Sequence, residues 1–105
     1  MVPAKRKLGL MLSTAAAHPN LETALGLSRA ALDGGDDVYL YLIDDAVDAV
    51  DDDRLLALAD RGLKLFVCAY GCQKRRRPLS DRATNCGLVV LTDVINGTDR
   101  FIALN

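Results

Sequence analysis

The chain has 105 residues, half of them hydrophobic, with three Tyr, two Phe, no Trp and a formal net charge of −1. That length is one domain, residues 1–105, with one mostly aliphatic core, and its charge balance excludes a general attraction to nucleic acid or to a membrane surface. No run approaches the roughly 20 apolar residues a membrane span needs, and three cysteines are an odd, sparse set for a secreted disulfide scaffold, so reduced thiols in the cytoplasm are expected.

The basic triplet Lys5-Arg6-Lys7, the apolar stretch Leu8–Leu12 and Ala15-Ala16-Ala17 have the order of a weak secretory signal. The apolar part is too short, and cleavage after Ala17 would remove the first strand, so Leu8–Leu12 is read as that strand. Ser13–Asn20 is a loop, with Asn20 as the N-cap of a helix. Leu21, Ala24, Leu25, Ser28, Ala31 and Leu32 recur at helical spacing. Gly34-Gly35 ends that helix, because glycine accepts the left-handed conformation of a C-terminal cap.

Val38–Ile43 is a second strand. Asp44-Asp45 and Asp51-Asp52-Asp53 follow, and Leu55, Leu56, Leu58 and Ala59 mark a second helix stopped by Gly62. The aspartates complement the helix dipole; their spacing is not that of a calcium loop. Leu63–Cys68 is the third strand and Gly71–Arg77 a short helix halted by Pro78. Leu79–Cys86 reads as polar loop or brief helix. Gly87–Leu91 is the fourth strand, Thr92–Asp99 a turn or single helical turn, and Arg100–Leu104 the fifth strand. Continuous apolar strands alternating with helices predict an α/β fold: three α/β/α layers, Rossmann-like, with about five mostly parallel strands. Ligands of such sheets sit outside the carboxyl ends of the strands. Ser13, Thr14, His18, Asp44, Cys68 and Thr92 all fall just past predicted strand ends, so they are expected to converge on one edge.

The chemistry concentrates at Cys68 and Cys72, followed at once by Lys74-Arg75-Arg76-Arg77. A thiol where a strand gives way to a helix feels unpaired backbone N–H groups, and nearby cations act in the same sense; both favour the thiolate. Cys68 and Cys72 are four apart, so a helix would place their sulfurs on one face. This is C-x-x-x-C, not the C-x-x-C of thioredoxin-like sites. Cys86, beside Gly87 at a predicted strand start, reads as core filler. Cys68, Cys72, Cys86 and His18 have the right count for zinc but the wrong spacing, and no metal is expected. The cations either stay solvated or form a docking patch for an acidic protein partner, with Arg75 and Arg76 foremost. No glycine-rich phosphate loop follows the first strand, and the lone His18 makes no triad. His18, Ser13 and Thr14 are candidate binding residues in the pocket wall.

The order of these parts resembles the DsrE/DsrF-like family of small sulfur-relay proteins (the DsrEFH/TusBCD type). The resemblance rests on the opening strand Leu8–Leu12, the segment from Glu22-Thr23-Ala24-Leu25 through Gly35-Asp36-Asp37-Val38-Tyr39-Leu40-Tyr41-Leu42, the strand Leu65-Phe66-Val67-Cys68, and the closing Thr92–Ile102 stretch. It implies a three-layer α/β protein assembled as a homotrimer or homohexamer. It also implies a persulfide on Cys68, exchanged with a TusA-like sulfur carrier protein, with no organic cofactor. Cys72 matches the second cysteine of members that carry a pair. The family often has Arg-Gly after the cysteine, where this chain has Arg75-Arg76-Arg77-Pro78. The expected function is therefore an intracellular, sulfurtransferase-like sulfur carrier. Two alternatives are a non-catalytic assembly module of the same fold and a Cys68–Cys72 thiol–disulfide switch.

Overall fold

The computed structural model describes residues 5–74 and 83–105. Five strands, β1 (Lys7–Leu12), β2 (Asp37–Leu42), β3 (Lys64–Cys68), β4 (Thr84–Cys86) and β5 (Arg100–Leu104), form one sheet in the order β4-β3-β2-β1-β5. Every pairing is parallel. Parallel neighbours require crossovers, supplied by α1 (Asn20–Asp33), a 3₁₀ segment (Asp44–Asp51) with α2 (Asp53–Asp60), α3 (Ala69–Lys74) and α4 (Leu88–Gly97). The chain steps outward from β1 through β2 and β3 to β4, then returns through α4 to place β5 on the other side of β1.

Strand parity decides what each face buries. Leu10 and Leu12 align with Leu40 and Leu42, and those two with Leu65 and Val67. All six are buried, with Leu21, Leu25, Val47, Val50 and Leu55 from α1, the 3₁₀ segment and α2 packed against them. The other parity carries Gly9, Tyr39 and Phe66, and α4 covers it through Val90, Val94 and its C-cap residue Thr98. A Cβ on Gly9 would stand 2.8 Å from the Thr98 hydroxyl oxygen, so glycine is what lets the end of α4 approach the sheet. This face is the less complete one: Tyr39 and Phe66, stacked with centroids 6.5 Å apart, are only half-buried.

Strands one, two, three and five lie within a residue of their expected bounds, and the three-layer, Rossmann-like α/β arrangement is present. The end of α1 follows the glycine argument: the Asp36 N–H bonds Ala31 O at 2.9 Å and the Gly35 N–H bonds Leu32 O at 3.0 Å, with Gly35 at φ +85°. At its start, Pro19 and not Asn20 occupies the cap position, and the Asn20 amide donates to the Asn105 carbonyl instead.

The fourth strand is a correction. Gly87–Leu91 is not a strand: β4 is the polar triplet Thr84–Cys86, and Leu88–Gly97 is helix. A four-residue apolar run has no period of its own. The i, i+4 pairs Val90/Val94 and Leu91/Ile95 only emerge when the run is read together with Thr92–Gly97. Thr92 accordingly leaves the carboxyl edge and lies on α4, its hydroxyl donating back to Leu88 O. The acidic stretch after β2 divides into the 3₁₀ segment and α2, with Asp52 capping α2 through its carboxylate.

Candidate functional site: a cysteine cleft at the carboxyl edge

A cleft of about 560 Å³ opens beyond the carboxyl ends of β1 to β4. Ser13 follows β1; Ile43, Asp44 and Asp45 follow β2; Cys68 ends β3; Tyr70, Gly71 and Lys74 come from α3; and Gly87 and Leu88 follow β4. The convergence expected of a doubly wound sheet is therefore met by Ser13, Asp44 and Cys68. Asp44 stands in the left-handed region at φ +52°, which a short carboxylate side chain tolerates better than most.

Cys68 is the last residue of β3 and directly precedes α3. Its sulfur accepts a hydrogen bond from the Gly71 backbone N–H at 3.4 Å. The sulfur thus occupies the role that a hydroxyl or carboxylate oxygen plays at an N-cap, bonding the amide three residues on. Cys68 is only 3% exposed, yet it forms part of the cleft wall. It also belongs to the core cluster, so aliphatic packing screens it on one side while the cleft opens on the other.

Cys72 is one turn further along α3, 1% exposed, and belongs to the core cluster. The cysteine aligned with Cys68 across the ladder is Cys86: the two are register partners at the last pair of β3 and β4. Cys86 is half-buried and its thiol donates toward Val67 O at 3.8 Å. Burial pushes the Cys86 thiol above its ordinary 9.0, offset in part by the Tyr41 hydroxyl and with the Cys68 sulfur adding to the rise. None of the three cysteines is in a disulfide.

Tyr41 joins this group from β2. Its ring is fully buried, and its hydroxyl donates to Gly87 O at 3.0 Å and more weakly to Cys86 O at 3.4 Å. Burial, then the Cys86 and Cys68 sulfurs, hold the phenol protonated well beyond its ordinary 10.0.

The other expected site residues are placed as follows. Ser13 lines the cleft, and its hydroxyl donates to Asn105 Oδ1 at 3.1 Å. Thr14 is half-buried, and its hydroxyl oxygen has no partner among the described residues. His18 is exposed, and its Nδ1 accepts the Asn20 N–H at 3.0 Å at the start of α1, so it serves the helix entry and is not in the cleft wall. Arg75 and Arg76 lie outside the described residues; Lys74, at the head of that basic run, lines the cleft. Two members of the site were not foreseen from sequence. Cys86 seemed to begin a strand, whereas it ends one. Tyr41 has the parity opposite to Leu40 and Leu42, a cue that its ring belongs to the other face, but nothing in sequence pairs it with sulfur.

The chain matches no family model and no curated protein. Among solved structures it is similar to the YchN protein of E. coli, with a TM-score of 0.82 at 19% identity, covering 96% of this chain and 100% of that one. It is also similar to BT1422 of Bacteroides thetaiotaomicron, a conserved protein of unknown function, with a TM-score of 0.76 at 13% identity, covering 93% and 94% of the two chains. At these identities the likeness is one of fold: the five-stranded parallel α/β architecture, matched over nearly the whole chain.

Proposed function

We propose that the protein is a sulfur carrier of the DsrE/DsrF-like kind, sulfurtransferase-like, which holds a persulfide on Cys68 and exchanges it with a TusA-like partner. The observation that carries this reading is the Cys68 sulfur itself: it stands in the wall of the carboxyl-edge cleft and accepts the Gly71 N–H. In the loading step the Cys68 thiolate attacks the outer sulfur of a donor persulfide. A Cys68–S–S bond forms, the donor's own S–S bond breaks, and the donor leaves as its thiolate. Protein thiols supply both ends of the transfer, so no organic cofactor enters, and the cytoplasm is the compartment that keeps such thiols reduced. Lys74 at the cleft margin gives an acidic carrier a first point of attraction.

Intact-mass measurement after incubation of the reduced protein with inorganic polysulfide tests the reading. One sulfur is gained by the wild type and by Cys86→Ser, and none by Cys68→Ser. A wild-type mass that no polysulfide, thiosulfate or persulfidated carrier changes would defeat it.

The assembly-module alternative draws on a separate observation. On α4, Leu88, Val89 and Ile95 are 58%, 75% and 44% exposed, although a helix apolar on most sides belongs in an interior. A homotrimer or homohexamer built through Val89 and Ile95 is compatible with sulfur carriage, because neither residue lines the cleft.

A further inference from the structure

We infer that Cys86, not Cys72, is the resolving thiol of Cys68: it attacks the loaded sulfur, expels sulfide and closes a Cys68–Cys86 disulfide between the ends of β3 and β4. This deepens the sulfur-carrier reading and rests on it for the identity of the cargo.

Three independent placements support the assignment. First, Cys68 and Cys86 are register partners in a parallel ladder, so their side chains leave the same face of the sheet side by side. Neighbouring strands lie about 4.8 Å apart, within the roughly 4.4–6.8 Å between Cα atoms that a disulfide accepts. Second, the Tyr41 hydroxyl reaches from β2 across β3 to the end of β4, where it donates to Gly87 O at 3.0 Å and Cys86 O at 3.4 Å. Its proton is committed to Gly87 O, and that bond ties the end of β4 beside β3. Third, Cys72 lies within α3 at 1% exposure, whereas Cys86 is half-buried on the strand beside Cys68.

The step balances without an external oxidant. The Cys86 thiol gives its proton to water in the cleft, and its sulfur attacks Cys68 Sγ, the inner sulfur of the persulfide. The Cys68 Sγ–Cys86 Sγ bond forms and the bond from Cys68 Sγ to the outer sulfur breaks. The outer sulfur leaves as hydrosulfide with the bonding pair, so the sulfane sulfur is reduced by two electrons. The two cysteines are oxidised by two electrons relative to the dithiol. A thiol reductant then returns the disulfide to the starting state. The chain thereby has two exits for its cargo: transfer to a partner thiol, or release as free sulfide.

The test has two arms. In the first, the reduced protein is treated with diamide and digested without reduction. The expected linkage is Cys68–Cys86, formed in Cys72→Ala as in the wild type and lost in Cys86→Ser and Cys86→Ala. A Cys68–Cys72 linkage, or no linkage within the chain, overturns the assignment. In the second arm the protein is loaded with polysulfide, freed of excess donor, and followed by intact mass and sulfide release. The wild type and Cys72→Ala pass from the sulfur-bearing form to the disulfide with one sulfide released per chain. Cys86→Ser and Cys86→Ala keep the sulfur. Release that persists in both Cys86 variants also overturns it. If no sulfur is ever loaded but diamide still joins Cys68 to Cys86, the carrier reading fails while the pairing stands.

Discussion

Tyr41 carries two burdens: it fills the core with its ring and satisfies strand-end carbonyls with its hydroxyl. Removing the hydroxyl in Tyr41→Phe leaves the Gly87 carbonyl short of a donor, at about 1 kcal/mol for an ordinary hydrogen bond. The same burial has a consequence in alkali. Burial, then the Cys86 and Cys68 sulfurs, raise the phenol's affinity for the proton. A group whose folded affinity for protons exceeds its unfolded one contributes stability that is whole below the unfolded value and declines above it. For Tyr41 that value is 10.0, and for Cys86, raised in the same sense, it is 9.0. Urea midpoints should therefore fall from about pH 9 upward, and Tyr41→Phe should fall less steeply than the wild type. Parallel declines in the two proteins would count against the placement of the hydroxyl.

Elements differ in how openly the sequence declares them. α2 is the clear case, since Asp52 precedes a helical pattern and caps it: its carboxylate accepts the Arg54 N–H at 2.9 Å and pairs with the Arg54 guanidinium at 3.0 Å. Bonding to the Arg54 side chain, more than any other cause, holds the Asp52 carboxyl below its ordinary 3.8. Asp52→Ala should cost about 1 kcal/mol at neutral pH, measured by urea unfolding. Because the folded affinity for protons is lowered here, the contribution is present above 3.8 and disappears as pH falls through the lowered value, so wild type and variant should converge in acid. β1, β2, β3 and β5 were legible because each is a short apolar run bounded by turn residues, and Cys68 was legible because it closes one of them. β4 was not: Thr84-Asn85-Cys86 has neither alternation nor hydrophobicity, and only the exposed backbone of β3 makes it a strand. That single misplacement put Cys86 at the wrong end of a strand and Thr92 on the wrong edge. The site therefore read as Cys68 with Cys72, because four residues in sequence were visible and a cross-strand register was not.

At the scale of the whole molecule the two faces of the sheet are unequal. One carries the closed aliphatic core; the other has, among the described residues, α4 over it, with Val89 and Ile95 exposed and Tyr39 and Phe66 half-buried. Large apolar side chains left exposed on one helix point to association. Light scattering after size-exclusion chromatography should give a mass of several chains for the wild type, and a single chain for Val89→Asp combined with Ile95→Asp; a monomeric wild type would remove the case for an oligomer. The sheet is unequal along its width as well. β4 is held to β3 by three residue pairs, whereas β1 and β2 share six. Peeling back so short a margin breaks few bonds and leaves the interior intact, at a cost far below that of global unfolding. Cys68, almost fully covered in the resting fold, has its register partner at the end of this short margin, so an opening confined to β4 would bare the sulfur and leave the aliphatic interior closed.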